Sequence, residues 1–267
     1  MTAPSPEAQL EFLSKLQRLF NEGDFTATYK FALLMALADI CVEQGQDNAD
    51  ALVVQHKDIA IKFIDLYWQQ TAPYGSGLPN TTTSVLIQNN GVQAAVVTAI
   101  AAFRQKNPGV TPITARRSAD FVDLVGKVAQ TVSAQPVNYL QNLGGQTVPF
   151  LYERQRGAIR LLPGISYCLR RFQPLVNQLS RTHWIQHVKG NRSKSDTLAA
   201  KVHLESWWTY ASRHEDDLAE IGIHAGRSAN LQASLAVTRW CYGNGYASGA
   251  QAWVKVNEYT AIDGSYF

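Results

Sequence analysis

His183 and His187 lie four residues apart in a stretch that reads as helix, so both imidazoles share one helical face. Two imidazoles in that register can hold zinc, and a helical zinc hydrolase adds a general-base glutamate directly after the first histidine. Here that position is Trp184, with Arg181 and Lys189 nearby, so the pair reads as surface or phosphate-contacting groups. A looser set, His203, Glu205, His214, Glu215, Asp216, Asp217 and His224, would supply metal ligands if folded together. The acidic run directly after His214 reads more simply as a solvated face or a helix start. No Gly-x-Ser-x-Gly elbow is present, and no cysteine has an activating context. Gly144-Gly145 and Gly243-Asn244-Gly245 lack the spacing of a phosphate-binding loop and read as turns. No catalytic residue, metal ligand or cofactor is assigned from these residues; a divalent metal is expected only if a nuclease module is present.

The chemistry that remains is cationic. Arg154, Arg156, Arg160, Arg170, Arg171, Arg181, Lys189, Arg192 and Lys194 are interleaved with Tyr152, Tyr167, Phe172 and Trp184. Residues 151–194 carry nine basic and one acidic side chain, whereas the segments before and after are net negative. Seven of the nine cations are arginine, whose planar fork matches phosphate oxygens. Such a stripe could hold a nucleic-acid backbone in a sequence-independent, salt-sensitive way. The competing reading is a solvated helix face whose arginines pair with acidic surface elsewhere in the chain.

The elements that must position these groups are mostly helical. Ser5-Pro6 is a cap-plus-first-turn pair, and Leu10, Leu13, Leu16, Leu19 and Phe20 follow at helical spacing. A second helix is expected from after Thr26 to Gln44, with Tyr29, Leu33, Ala36, Leu37, Ile40 and Cys41 on one face and Gly45 as its stop. Further helices are expected over 58–70, 91–106 and, capped by Ser118, 120–131. The aromatic, β-prone segment 147–154 and the run 158–162 form a hairpin turning at Gln155-Arg156-Gly157. A helix from Ser166 to about His187, kinked at Pro174, completes this part. Beyond Gly190 the pattern weakens; 203–219 could be helical, and the last residues mix Gly, Tyr and Trp without a clear period. The expected fold is mainly α: a helical domain over 1–146, a β-hairpin plus basic helix over 147–190, and an irregular C-terminal region over 191–267.

Composition bounds the class. With 267 residues, 46% hydrophobic and 17% charged, the chain can bury a core and is not disordered in bulk. Cys41, Cys168 and Cys241 are too scattered for a zinc pair or disulfide framework and are expected to be reduced, buried thiols. No apolar run is long enough to span a membrane, and the first residues lack a secretory signal's pattern. A cytoplasmic protein without a membrane partner is expected.

Two stretches carry a resemblance. Residues 22–43, Glu-Gly-Asp-Phe-Thr-Ala-Thr-Tyr-Lys-Phe-Ala-Leu-Leu-Met-Ala-Leu-Ala-Asp-Ile-Cys-Val-Glu, resemble the E-G-x-F-x-x-T-Y-K-x-A-L-L-x-A-L-A-D-x-x-V-E signature of bacterial HNH endonuclease-like proteins. Phe150-Leu-Tyr-Glu153, the run from Leu162 to Phe172 and Trp184 are similar to the segment that precedes the nuclease module in that family. Gln88-Asn-x-Gly-x-Gln-Ala-Ala-Val-Val97 also fits, so the resemblance spans about residues 8–189. It implies a restriction or phage-defence setting and a downstream metal-dependent nuclease. Yet residues 190–267 hold one cysteine, no Asp-His pair and no C-x-x-C, and none of that family's active site carries over. A different ending, a degenerate nuclease and a shifted reading frame all stay open for this tail.

The expected function is therefore nucleic-acid contact without catalysis, with DNA as a candidate partner and the choice between DNA and RNA left open. A helical protein-interaction or scaffold module, binding another protein or a second copy of itself, is the alternative. A nuclease built on His203, His214 and His224 would have to show metal-dependent plasmid nicking abolished by His214→Ala or His224→Ala.

Overall fold

Pro6–Glu22 forms α1 for the local reasons the sequence offers: the Ser5 hydroxyl accepts from the Ala8 amide at 3.3 Å, and Pro6 occupies the first helical position. In this computed structural model, residues 2–23, 25–72, 85–89 and 92–190 are described, the side chain of Lys189 excepted. The readings made for residues 191–267, including Arg192, Lys194, Cys241 and the His203–His224 set, lie outside them.

The next helix, α2 (Tyr29–Gln44), is buried nearly all round. Besides the expected face, Phe31, Ala32, Leu34, Met35 and Ala38 are also inaccessible. A helix that is apolar on every side belongs at the centre of a core, so the expectation of a one-sided helix is corrected. After it come β1 (Val53–Gln55), α3 (His56–Trp68), α4 (Ala95–Lys106), the short α5 (Pro112–Ala115), α6 (Phe121–Ala134) and the short α7 (Pro136–Tyr139). Ser118 does not cap α6 with its hydroxyl; its carbonyl accepts from Phe121 N at 3.1 Å, and the residue at the cap is Asp120.

Two small antiparallel sheets follow. β2 (Asn142–Leu143) and β3 (Gln146–Thr147) pair across Gly144-Gly145, both at positive φ, 55° and 81°. Left-handed conformation at both central residues is what a tight two-residue hairpin needs, and glycine adopts it without a Cβ clash. β4 (Tyr152–Gln155) and β5 (Ala158–Leu161) form the expected hairpin, with Glu153 opposite Arg160 and Gln155 opposite Ala158. β1 adds to the other edge of β5, Val54 opposite Ile159, giving the order β1-β5-β4. Residues on both sides of position 146 thus share one sheet.

The expected kinked helix after Ser166 is two helices, α8 (Ile165–Arg171) and α9 (Gln173–Gly190), interrupted at Phe172 (φ −104°, ψ 17°). Pro174 kinks nothing: it sits in the first turn of α9, where a missing N–H leaves no helical bond unmade. Contacts divide the chain into two compact units. The first holds residues 1–67 and 88–187, with the sheet and the α2-centred core. In the second, residues 69–71 form a 3-10 turn in which the Thr71 hydroxyl donates to the Trp68 carbonyl at 2.7 Å. The fold is mainly helical, and among the described residues no helix is long and apolar enough to cross a membrane.

Candidate functional site

The arginines of this stretch fall on four elements with different neighbours. Arg160, on β5, faces Glu153 across the ladder at 3.7 Å. Arg170, on α8, donates to the Gly45 carbonyl at the end of α2 at 3.0 Å and lies 3.2 Å from Asp47. It thereby satisfies a carbonyl at a helix C-terminus, the end where a cation is favoured. Arg181, on α9, is half-buried; burial pushes its guanidinium down, and the Asp39 charge opposes this. Arg171 is exposed on α8. Lys189 belongs to α9, while Arg192 and Lys194 lie beyond the described residues. Arg160 and Arg170 thus lie beside carboxylates of the chain itself.

Arg154 and Arg156 behave differently. Both are exposed, two residues apart on β4 and the hairpin turn, and both line one depression of about 580 Å³. Its opposite wall comes from the end of α6 and from α7. There Asn138 is fixed by its own amide, which donates to the Ala134 carbonyl at 3.0 Å. The Asn138 side-chain oxygen accepts from an Arg154 guanidinium nitrogen, which holds that arginine at the rim. Buried Gln141 braces the chain entering β4: its side-chain oxygen accepts from the amides of Phe150, Leu151 and Tyr152 at 2.9, 2.7 and 3.2 Å. The Tyr152 hydroxyl donates to the Val137 carbonyl at 3.0 Å, tying the hairpin to α7.

His56 also lines this depression, and nothing in the sequence marked it as more than a lone histidine. It is the first residue of α3, and its backbone amide donates to the Gly157 carbonyl of the hairpin turn at 2.9 Å. The residue is only 8% exposed, and its Nε2 is buried with no hydrogen-bond partner. Burial pushes the imidazole below its ordinary value of 6.5, opposed by a hydrogen bond with the Ala158 backbone. His56 and the two exposed guanidinium groups thus line one depression.

The other histidine reading resolves as packing. His183 stacks on Phe20 with ring centroids 4.7 Å apart, and His187 meets Phe31 edge-on at 6.2 Å. Burial lowers both imidazoles. Among the described residues no group of three or more His, Cys, Asp or Glu side chains could hold a metal. Cys41 and Cys168 are free, buried thiols, pushed up by burial to about 12 and about 11.

The long motif at 22–43 is used largely to lock the core. Thr28 and Tyr67 share a hydroxyl–hydroxyl bond of 2.6 Å, and the Tyr29 hydroxyl accepts from the Val96 amide at 3.3 Å. The Thr28 amide donates to the Gln88 carbonyl at 3.3 Å, and the Gln88 side chain accepts from the Trp184 indole at 2.7 Å. Lys30 is buried, its ammonium 5.3 Å from the Phe25 ring. Asp39 accepts from Gln173 and Asn177 at 2.8 and 3.2 Å. Thr26, Ala27, Tyr29 and Gln135 also line two adjoining hollows, of about 310 and 690 Å³.

Fold and site together define a mainly helical protein whose basic β-hairpin lines a surface depression. Residues 9–205 match the model of a domain of unknown function, DUF8808, and the chain belongs to that family. No curated protein and no solved structure matches it.

Proposed function

We propose that this protein contacts the sugar–phosphate backbone of nucleic acid through the β4–β5 hairpin and does not cut it, as a non-catalytic relative of HNH endonucleases. The observation that carries this reading is the placement of Arg154 and Arg156, both exposed on one hairpin, while Arg160 and Arg170 lie beside the carboxylates of Glu153 and Asp47. Arginine forks held on a rigid ribbon suit phosphate oxygens and carry no base information. The motifs at 22–43, 150–153 and 162–172 support the kinship. We place this activity in the cytoplasm, in keeping with the free thiols of Cys41 and Cys168.

A titration of labelled duplex DNA at low and moderate salt tests the reading. Affinity is expected to fall with salt, and Arg154→Gln/Arg156→Gln is expected to flatten the log–log slope by about 1.8, the value for two phosphate contacts. No binding at low salt would sink it. The second reading, a scaffold module, is favoured by Arg160 and Arg170, whose partners Glu153 and Asp47 lie within the chain. Light scattering after size exclusion would support that reading if the protein forms a stable oligomer indifferent to DNA.

A further inference from the structure

We propose that the depression between the β4–β5 hairpin and the α6–α7 turn is a phosphate seat, with Arg154 and Arg156 at its rim and buried His56 in its lining. The proposal rests on the nucleic-acid reading for its macromolecular ligand, and it adds a defined site and a residue that reading does not need.

Three observations converge there. First, His56 is 8% exposed, lines the depression, and has an Nε2 without a partner. A buried polar atom left unsatisfied is uncommon and calls for an explanation such as a ligand. Second, Arg154 is fixed by Asn138, and Arg156 stands two residues along on the same turn. A guanidinium has five N–H donors, so Arg154 keeps donors for a ligand after serving Asn138. Third, the volume of about 580 Å³ admits a phosphate ester with part of its sugar. The seat also lies at the start of α3, the positive end of a 13-residue helix.

The charges around His56 set the chemistry. Glu153, Arg154, Arg156 and the Tyr152 phenol line the same depression, and Lys57 and Asp58 follow His56 on α3. Glu153 faces Arg160, and the Tyr152 hydroxyl is engaged with Val137. With the seat empty, burial disfavours an imidazolium, against a hydrogen bond with the Ala158 backbone. A phosphate anion reverses that balance: its oxygens accept from the guanidiniums, and its charge favours a protonated imidazole beside it. Binding is therefore coupled to proton uptake by His56, and affinity rises as pH falls.

NMR titration of the assigned His56 imidazole in the full-length protein tests this, using inorganic phosphate in one arm and a short single-stranded oligodeoxynucleotide in the other. The expected result is a shift of the His56 signals in both arms and a raised His56 pKa at saturation. Because His56 is buried, His56→Gln could disturb folding, so exposed Arg156→Gln is the primary variant. It should weaken phosphate binding about tenfold, the loss of one hydrogen bond to a charged group. Salt-sensitive oligonucleotide binding with His56 unmoved in both arms would overturn the seat while leaving the backbone-contact reading standing. A His56 shift with phosphate alone would support the seat and count against nucleic acid as its ligand. No response in either arm, with no binding, would overturn both.

Discussion

Gln141 shows how much one side chain can carry when three backbone amides converge on its oxygen. Its amide nitrogen donates in turn to the Tyr152 carbonyl at 3.0 Å, so one buried residue fixes the approach to the basic hairpin. Gln141→Leu keeps the size but strands those amides, each left unpaired at about 1–3 kcal/mol. We expect a loss of about 3–5 kcal/mol in urea unfolding; a loss below about 1 kcal/mol would mean that the chain relaxes to find other acceptors. The cysteines make a second prediction at this scale. With their thiols pushed up to about 12 and about 11, Cys41 and Cys168 hold almost no thiolate near neutral pH. Peptide mapping after alkylation should find both unmodified in the native protein and both labelled in denaturant.

Among elements, the hairpin and the α8 entry use glycine for different reasons, and substitution separates them. Gly157, at φ 74° in the β4–β5 turn, has open space where a Cβ would stand. Gly164, at φ 81° before α8, would place its Cβ 3.2 Å from the Pro4 ring. Gly157→Ala should cost only the left-handed backbone, about 1–2 kcal/mol, and Gly157→Asn less, because asparagine tolerates that conformation. Gly164→Ala should cost more than Gly157→Ala, since Pro4 must also shift. Thermal melts of the three variants check the order; equal losses at both sites would show that Pro4 yields freely. The interruption at Phe172 belongs to this scale as well. A proline two residues into a new helix looks, in sequence, like a proline more than two turns into an old one.

For the molecule as a whole, one buried and two half-buried histidines tie stability to pH. The imidazoles of His56, His183 and His187 are all lowered from 6.5 by burial, so the unfolded chain binds more protons in that window. Their contribution is fully present above 6.5 and is lost as pH falls through the folded values. Asp65 has the opposite sign: burial raises it above 3.8 against the pull of Arg116 at 2.6 Å, so its contribution is lost as pH rises through its folded value. Tm is expected to fall between about pH 7.5 and about pH 5.5, and His183→Phe should flatten that dependence. A Tm independent of pH there would show that these imidazoles are not held neutral by the fold.

The amino-acid sequence by itself determined what is local. The Ser5-Pro6 start of α1, the Gly144-Gly145 turn and the hairpin across Gln155-Arg156-Gly157 each follow from a few neighbouring residues acting within one turn or one ladder. The mainly helical class followed from the same short-range periodicity. Only the tertiary structure decided what depends on distant partners. Val53–Gln55 is too short to carry an alternating pattern and becomes a strand because β5, a hundred residues on, offers it an edge. The burial of α2 on every side, and the engagement of Arg160 and Arg170, arise from neighbours that sequence spacing does not reveal. The candidate site is the clearest case. Arg154 and Arg156 stood out by type and spacing, but His56 and Asn138 meet them only because β1 hands His56 to the hairpin turn and α7 packs against Tyr152. Covalent neighbours set the elements; packing chose which side chains face the same space.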